Sequence, residues 1–381
     1  MVDFLLKNGL LIDEESGYKK SKCDIAVKDG RIIKIASVID AEARNKVDLD
    51  GYVVTPGLID FHAHFFSGGT NTALEFSSYL PTGVTNAVDA GSAGDSNVDS
   101  FLRVLSERER RNTRIFLNVS SEGLSCLGDH PENIHPDYMN KNKILRLCHR
   151  YSKEIIGLKL RISNEIAAFS HTTSFDSLRK AVEIAEECGL PLSVHIPDFQ
   201  GELKDLIDIL RPGDIFCHVF TPCKGIMENG KVSEEIFRGR EKGILFDCAC
   251  GKGHFGHETA EKALEKGFIP DFISGDFTRN TFGCLPAASL PHLMNRFMAF
   301  DLPLETVIKI VTTNPARQMG LEGQIGCLRK GAKANIAVFR LKKGDTVFED
   351  VRNIRITGME RIVPMATMLE GEWVFNQLYF Q

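Results

Sequence analysis

Apolar, β-branched runs alternate with helical patterns through the middle of this 381-residue chain. Such an alternation is typical of βα units, whose strands pair in parallel. Eight strands are predicted, at Val53–His62, Val84–Asp89, Ile115–Ser120, Ile155–Ile162, Leu192–Ile196, Ile215–Val219, Ile244–Cys248 and Phe272–Asp276. Eight strands with intervening helices predict an α/β fold, a (β/α)8 TIM-like barrel, with its functional site at the C-terminal strand ends.

The two ends of the chain carry a different pattern. Short strand-like segments with turn signals fill the first 52 residues, including a predicted hairpin turn at Lys28-Asp29-Gly30, and similar segments return near the C-terminus. We therefore predict a small β-sandwich domain from residues 1–52 and 325–381, around a barrel domain of residues 53–324. Residues 377–381 resemble the remnant of a protease-cleavage tag, so no function is expected of them.

The composition excludes several function classes. A net charge of −5 with dispersed Lys and Arg gives no basic surface signature, so no nucleic-acid partner is expected. No apolar run reaches membrane-spanning length and no signal peptide precedes the first strand, so no membrane association and a cytoplasmic location are expected. The ten cysteines lack disulfide-framework spacing and are expected to be reduced thiols. Homo-oligomerisation stays open.

The first predicted barrel strand ends in His62-Ala63-His64. Residues two apart on a strand point to the same face, so the two imidazoles can bind one ion together. The run before them is too apolar for a solvated edge strand, and water is the expected remaining ligand. Water bound in this way is the usual starting point of metal-assisted hydrolysis.

Polar side chains also mark the ends of other predicted strands. Lys159 lies inside the apolar fourth strand, His195 and His218 lie in the fifth and sixth, and Asp276 ends the eighth. Taken singly, such a histidine is more often a satisfied core residue, and a buried lysine is more often a salt-bridge partner. Together with the histidine pair, six such residues at one end of a barrel predict a metal centre.

These stretches resemble the amidohydrolase superfamily in its binuclear-metal form. Gly57-Leu58-Ile59-Asp60-Phe61-His62-Ala63-His64 is similar to the strand-one metal motif of that family. Thr312-Thr313-Asn314-Pro315-Ala316-Arg317 and Gly331-Ala332-Lys333-Ala334-Asn335-Ile336 resemble its return to the small β domain. The resemblance covers nearly the whole chain. Asn335 departs from the usual acidic residue of the last motif, at a position remote from the predicted metals.

The resemblance also implies roles for the remaining residues. Lys159 matches the lysine that is carbamylated by carbon dioxide and bridges two ions. His195 and His218 match ligands of the second ion, and Asp276 matches the aspartate that ligates the first ion and serves as acid/base. Two divalent ions are expected, predicted to be zinc because imidazole and carboxylate ligands suit it, with manganese or iron also compatible.

The chemistry explains the choice of residue types. Two neighbouring ions need an anionic bridging ligand, which a lysine ammonium cannot provide. Only the neutral amine reacts with carbon dioxide, and burial of Lys159 favours that form. The resulting carbamate has one oxygen for each ion. A hydroxide held between the ions is the expected nucleophile, and Asp276 is expected to move its proton to the leaving nitrogen or oxygen.

Three further residues are candidates for substrate binding. Arg161 follows Lys159 on the same strand face, and Arg279 lies three residues after Asp276. Either arginine could hold a substrate carboxylate through two parallel hydrogen bonds, or form a salt bridge at the barrel end. His254 lies in the glycine-rich loop after the seventh strand, on the predicted catalytic face. The expected partner is a small molecule, predicted to carry a carboxylate.

Within the family, residues 157–163 and 274–277 are most similar to a bacterial dihydroorotase-like branch of acetyl-hydroxyacid deacetylases. The resemblance implies metal-dependent hydrolysis of an amide or ester bond in a deacetylase-like reaction. It leaves the acyl group, the leaving group, the stereochemistry and the carbamylation state of Lys159 open.

Three alternatives are weighed against this function. Opening of a cyclic amide, as by a dihydroorotase or hydantoinase, is disfavoured because Phe66 stands where the usual dihydroorotases carry an arginine. Mononuclear deaminases lack the bridging lysine and carry a glutamate soon after the strand-five histidine, where Ile196-Pro197-Asp198-Phe199 stands here. A non-catalytic scaffold would typically lack metal ligands, whereas all six positions are filled.

Overall fold

The computed structural model describes residues 1–379. The strands, in chain order, are β1 Val2–Asp13, β2 Tyr18–Lys28, β3 Arg31–Ala36, β4 Ala43–Asp48, β5 Val53–Pro56, β6 Leu58–Ala63, β7 Val84–Gly94, β8 Thr113–Asn118, β9 Ile155–Arg161, β10 Leu192–His195, β11 Ile215–Cys217, β12 Met227–Glu228, β13 Lys231–Val232, β14 Leu245–Asp247, β15 Ile336–Glu349, β16 Arg355–Leu369 and β17 Glu372–Asn376. The α-helices are α1 Val98–Val104, α2 Glu107–Asn112, α3 Lys141–Arg150, α4 Asn164–Phe169, α5 Ser174–Cys188, α6 Leu203–Ile209, α7 Glu235–Lys242, α8 His257–Glu265, α9 Leu290–Met298, α10 Leu304–Ile310 and α11 Thr313–Gln318.

Seven parallel strands form a curled sheet in the order β14-β11-β10-β9-β8-β7-β6. The segment 272–277 closes this sheet into a barrel, because Phe272 pairs with β14 and Phe277 pairs with β6 through single bridges. The predicted (β/α)8 barrel is therefore confirmed, whereas a regular eighth strand over Phe272–Asp276 is wrong. Asp276 has a φ of 47°, in the left-handed region, and this conformation interrupts an extended strand.

The first predicted barrel strand, Val53–His62, is in fact two strands. β5 pairs with β1 and β15 in a second sheet, whereas β6 begins at Leu58 and pairs with β7. The break falls at Gly57, whose N–H bonds to the carbonyl of Asn335 at 2.8 Å. A Cβ at this glycine would lie 2.3 Å from Oγ1 of Thr85, so no larger residue fits where the chain passes between the sheets.

Strands from both ends of the chain form the second sheet, in the order β17-β16-β15-β5-β1-β2-β3, with β4 beside β1. This arrangement confirms the strand-rich terminal unit, while its exact boundaries stay predictions. The predicted turn joins β2 to β3, with Asp29 at φ 49° and Gly30 at φ 73°, as a tight hairpin turn of this hand requires. Of the predicted tag remnant, Gln377 bonds to Met365 at 2.9 Å, whereas residues 380 and 381 lie outside the described part of the chain.

Helix α5 illustrates how the sequence builds the outer layer of the barrel. Thr173 accepts the backbone N–H of Asp176 at 3.1 Å and caps the first turn. Leu178, Ala181 and Ala185 then recur on one face and are fully buried. The helix ends at Gly189, which adopts a left-handed backbone conformation. No helix within residues 1–379 combines the length and the apolar character needed to cross a membrane.

Candidate metal centre

The predicted ligands meet at one end of the barrel, where the parallel strands finish. Within residues 1–379, three groups of three side chains have ligand atoms that all lie within 4.8 Å of one another. The first group is His62, His64 and Asp276, and the second is His195, His218 and His254. The third, His62, Cys217 and Asp247, shares His62 with the first. The imidazole rings of His62 and His218 connect the first two groups, with centroids 5.4 Å apart.

The first group converges on one carboxylate oxygen. Oδ1 of Asp276 lies 3.1 Å from Nε2 of His64 and 3.7 Å from Nε2 of His62. Burial disfavours ionisation of Asp276, but the hydrogen bond with His64 and the electrostatic influence of the neighbouring histidines outweigh it. The pKa of this carboxyl is therefore held well below its usual range. An anionic carboxylate beside two imidazoles is a donor set that suits a divalent ion.

Protein acceptors fix the orientation of two of the histidines. Nδ1 of His62 lies 3.0 Å from a carboxylate oxygen of Asp247, and Nδ1 of His218 lies 2.7 Å from the carbonyl of Ala249. Because these acceptors have no proton to donate, Nδ1 carries the hydrogen and Nε2 keeps its lone pair. This is the usual arrangement of histidines that bind a metal.

The second group consists of neutral imidazoles. Burial, followed by the field of neighbouring histidines, holds the pKa of His195 and His218 well below the usual value, and burial also lowers the pKa of His254. In the first group, burial lowers the pKa of His62 to about 4. Nε2 of His218 is buried and has no hydrogen-bond partner in the described part of the chain. A buried nitrogen with a free lone pair fits a metal ligand and is costly without one.

Lys159 lies between the two groups, on β9. Its Nζ is 3.3 Å from Nε2 of His62 and 3.8 Å from Sγ of Cys217, whose pKa burial raises to about 11, so this thiol is neutral. Lys159 is 2% exposed, and no carboxylate within residues 1–379 forms a salt bridge with it. A buried lysine with no anionic partner does not fit the role of a structural salt bridge.

A glycine on β7, two strands away from β9 in the sheet, makes room for this lysine. Gly91 has a φ of 93°, and a Cβ there would lie 2.6 Å from Cγ of Lys159. Any other residue at this position would displace the lysine from the histidine groups, in addition to straining the backbone.

The three substrate candidates lie in different places. His254 is next to the second group, with its ring centroid 4.3 Å from that of His218. Arg161 on β9 pairs with His195 on the adjacent strand β10. The side chain of Arg161 lines a cavity of about 270 Å³ together with His130. Arg279 is exposed and lines a separate crevice, outside both histidine groups.

Several supporting residues were not predicted from the sequence. Asp247 is the next-to-last residue of the predicted seventh strand and the last residue of β14, so its position near a strand end carried a signal like that of Asp276. Ser92, which contacts Nδ1 of His64 at 3.0 Å, and Glu132, which pairs with Arg161 at 2.9 Å, lie beyond the predicted strands. No pattern in the sequence marks either of these two residues.

The pattern of the amidohydrolase family matches residues 53–374. This chain belongs to the amidohydrolase family. The amidohydrolase is 31% identical over 346 residues to a deacetylase of Agrobacterium fabrum, which covers 90% of this chain and 84% of that one. It is 32% identical over 333 residues to a deacetylase of Brucella anthropi, with 86% and 82% covered. A crystal structure described as a dihydroorotase superposes with a TM-score of 0.89 and 29% identity, over 99% of this chain and 98% of that one.

The family membership confirms the resemblance seen in the sequence motifs. The amidohydrolase is a hydrolase of the metal-dependent type, with groups of histidine and aspartate side chains that can hold metal ions.

Proposed function

We propose that this amidohydrolase removes an acetyl or similar acyl group from the nitrogen or oxygen of a small carboxylate-bearing molecule. The observation that carries the proposal is Lys159, which is buried without an anionic partner 3.3 Å from Nε2 of His62. Such a lysine is placed for conversion to a bridging carbamate. The two deacetylases that are about one-third identical to this chain favour acyl transfer to water over ring opening.

Two sets of side chains are proposed to hold one metal ion each. His62, His64 and Asp276 would hold one divalent ion, the second group would supply His195 and His218 to another, and Lys159 would bridge the two as a carbamate. Zinc suits these ligands. When bound, such ions acidify a water molecule and polarise the substrate carbonyl.

Asp276 is the proposed acid/base. Its carboxylate is ionised, since its pKa is held below the usual range, and it therefore starts as a proton acceptor. Once protonated, it can return the proton to the leaving nitrogen or oxygen of the substrate. His254, beside His218, is placed to contact the substrate across the second group.

Arg161 is the proposed anchor for the substrate carboxylate. Glu132 is 1% exposed and holds one guanidinium nitrogen of Arg161 at 2.9 Å, while the arginine side chain is 21% exposed. The buried carboxylate therefore fixes the guanidinium plane, and the remaining N–H groups stay available for a second carboxylate.

A panel of N-acetyl and O-acetyl carboxylates, assayed with the zinc-loaded enzyme, tests this function. At least one compound is expected to be turned over, and His64→Ala is expected to lower kcat/KM about 100-fold or more, because one imidazole ligand is lost. Equal turnover by both proteins would show that the chemistry does not use this centre.

Ring opening is the second candidate, favoured by the superposition on a structure described as a dihydroorotase. Phe66 is buried against Phe101, with ring centroids 4.9 Å apart, so this position offers no cation for a substrate carboxylate. Turnover of dihydroorotate or a hydantoin without turnover of any acyl compound would establish ring opening and reject deacylation.

Replacing Arg161 with glutamine is expected to raise KM for a carboxylate substrate about 10- to 100-fold, with a smaller change in kcat. A charge-assisted hydrogen bond of roughly 1.5–3 kcal/mol is lost. The measurement is steady-state kinetics with the carboxylate and its uncharged carboxamide analogue, whose KM should hardly change. Arg279→Gln is the matched control and should leave both values within about twofold. A similar rise in KM for the carboxylate and for the carboxamide would mean that Arg161 only stabilises the structure and does not bind the substrate carboxylate.

A further inference from the structure

A second cavity lies at the end of the barrel opposite the metal centre, and it does not depend on the proposed function. It has a volume of about 310 Å³ and lies at the N-terminal ends of the strands, where Arg114 is the second residue of β8 and Lys153 precedes β9. Leu321 and Ile325, from the segment after α11, form its apolar wall. Small-molecule sites in proteins start at about this size.

Positive charge predominates around this cavity. Five cationic side chains line it: Arg110, Arg111, Arg114, Lys153 and Lys333. Three carboxylates neutralise three of them, in the ion pairs Arg110–Glu154 at 2.7 Å, Arg111–Glu107 at 3.2 Å and Lys333–Glu370 at 2.9 Å. Arg114 and Lys153 form no salt bridge with any described residue, which leaves two positive charges uncompensated.

Arg114 is the more informative of these two cations. It is half-buried, and Nη1 bonds only to backbone carbonyls, those of Thr113 at 2.9 Å and Arg111 at 3.4 Å. Burial lowers the pKa of Arg114, and the carboxylate of Glu154, which already pairs with Arg110, offsets this effect only in part. An anion that enters the cavity would relieve this cost, and a planar guanidinium is suited to hold a carboxylate or phosphate through two hydrogen bonds.

We propose that this cavity binds a small organic dianion. Its two acidic groups pair with Arg114 and Lys153, and its apolar body packs on Leu321 and Ile325. The side chain of Asn86 at the cavity wall is hydrogen-bonded to Asn112 and Asn335 and is not free to bind the ligand. Arg114 and Lys153, which have no salt-bridge partner, therefore bind its acidic groups.

Isothermal titration of the metal-loaded enzyme with isophthalate, an aromatic dicarboxylate, tests the site. One saturable event per chain is expected, at least 10-fold weaker for the uncharged isophthalamide. Arg114→Gln is expected to weaken isophthalate binding at least 10-fold, and Lys153→Gln, at an exposed position, provides a second variant should the first fold poorly. Arg179→Gln is the matched control, because Arg179 is exposed on α5, away from the cavity.

Two outcomes would overturn the proposal. The absence of saturable isophthalate binding would show that the cavity is only a hydrated crevice. Binding of equal strength in the parent and in Lys153→Gln and Arg114→Gln would place the dicarboxylate elsewhere, at the metal centre in particular.

Discussion

Replacing Lys159 with alanine is expected to lower the metal content from two ions per chain to one or none, and to reduce turnover about 10³-fold or more. Without the lysine no carbamate can form, so the two histidine groups lose their anionic bridge. Several kcal/mol of transition-state stabilisation by the ions is lost with it. Elemental analysis of metal per chain is the deciding measurement, with steady-state kinetics beside it.

A lysine outside the site provides the control for this experiment. Lys180 on α5 pairs with Glu183 at the surface, so Lys180→Ala should retain both ions and full turnover. Circular dichroism checks that both variants are folded. One ion per chain in the parent and in Lys159→Ala alike would make this lysine structural, and would redirect attention to mononuclear deaminases and deacetylases.

Replacing Asp276 with asparagine is expected to lower kcat about 10²- to 10⁴-fold, the usual contribution of a positioned acid/base. The amide has nearly the same shape and can still contact His64, but it cannot accept a proton. Measurement at saturating zinc separates this loss from weaker metal binding. Asp137→Asn serves as the control, because the side chain of Asp137 is 87% exposed. A kcat within threefold of the parent would remove Asp276 from the proton-transfer role.

The positions of the proposed metal ligands could be predicted from the sequence because they depend on a local pattern. His195 and His218 each follow an apolar run, and the parallel pairing of such runs brings their C-terminal ends together. The chemistry of each residue type then limits what the assembled group can do. Asp247 also lies near the C-terminal end of a strand, but its carboxylate orients His62. Strand position alone does not distinguish a carboxylate that orients a ligand from one that is itself a ligand.

The shape of the segment around Asp276 could not be predicted, because distant residues determine it. Asp60 accepts the N–H of Gly275 at 2.9 Å, and the carbonyl of His62 accepts the N–H of Asp276 at 2.7 Å. These hydrogen bonds across the barrel hold Asp276 at positive φ, against the extended preference of the run before it. The role of Glu132 could not be predicted for a related reason, because the long loop that carries it has no periodic sequence pattern.

Strand β5 pairs with β1 on one side and with β15 on the other. During synthesis β1 and β5 leave the ribosome early, whereas residues 57–335 must be made before β15 can follow. At about 5–20 residues per second, this takes tens of seconds. For that time the apolar edge at Val53 and Val54 has no partner, and open edges of this kind pair readily with neighbouring chains. Until β15 has been made and pairs with it, this edge of β5 is therefore open to association with other newly made chains.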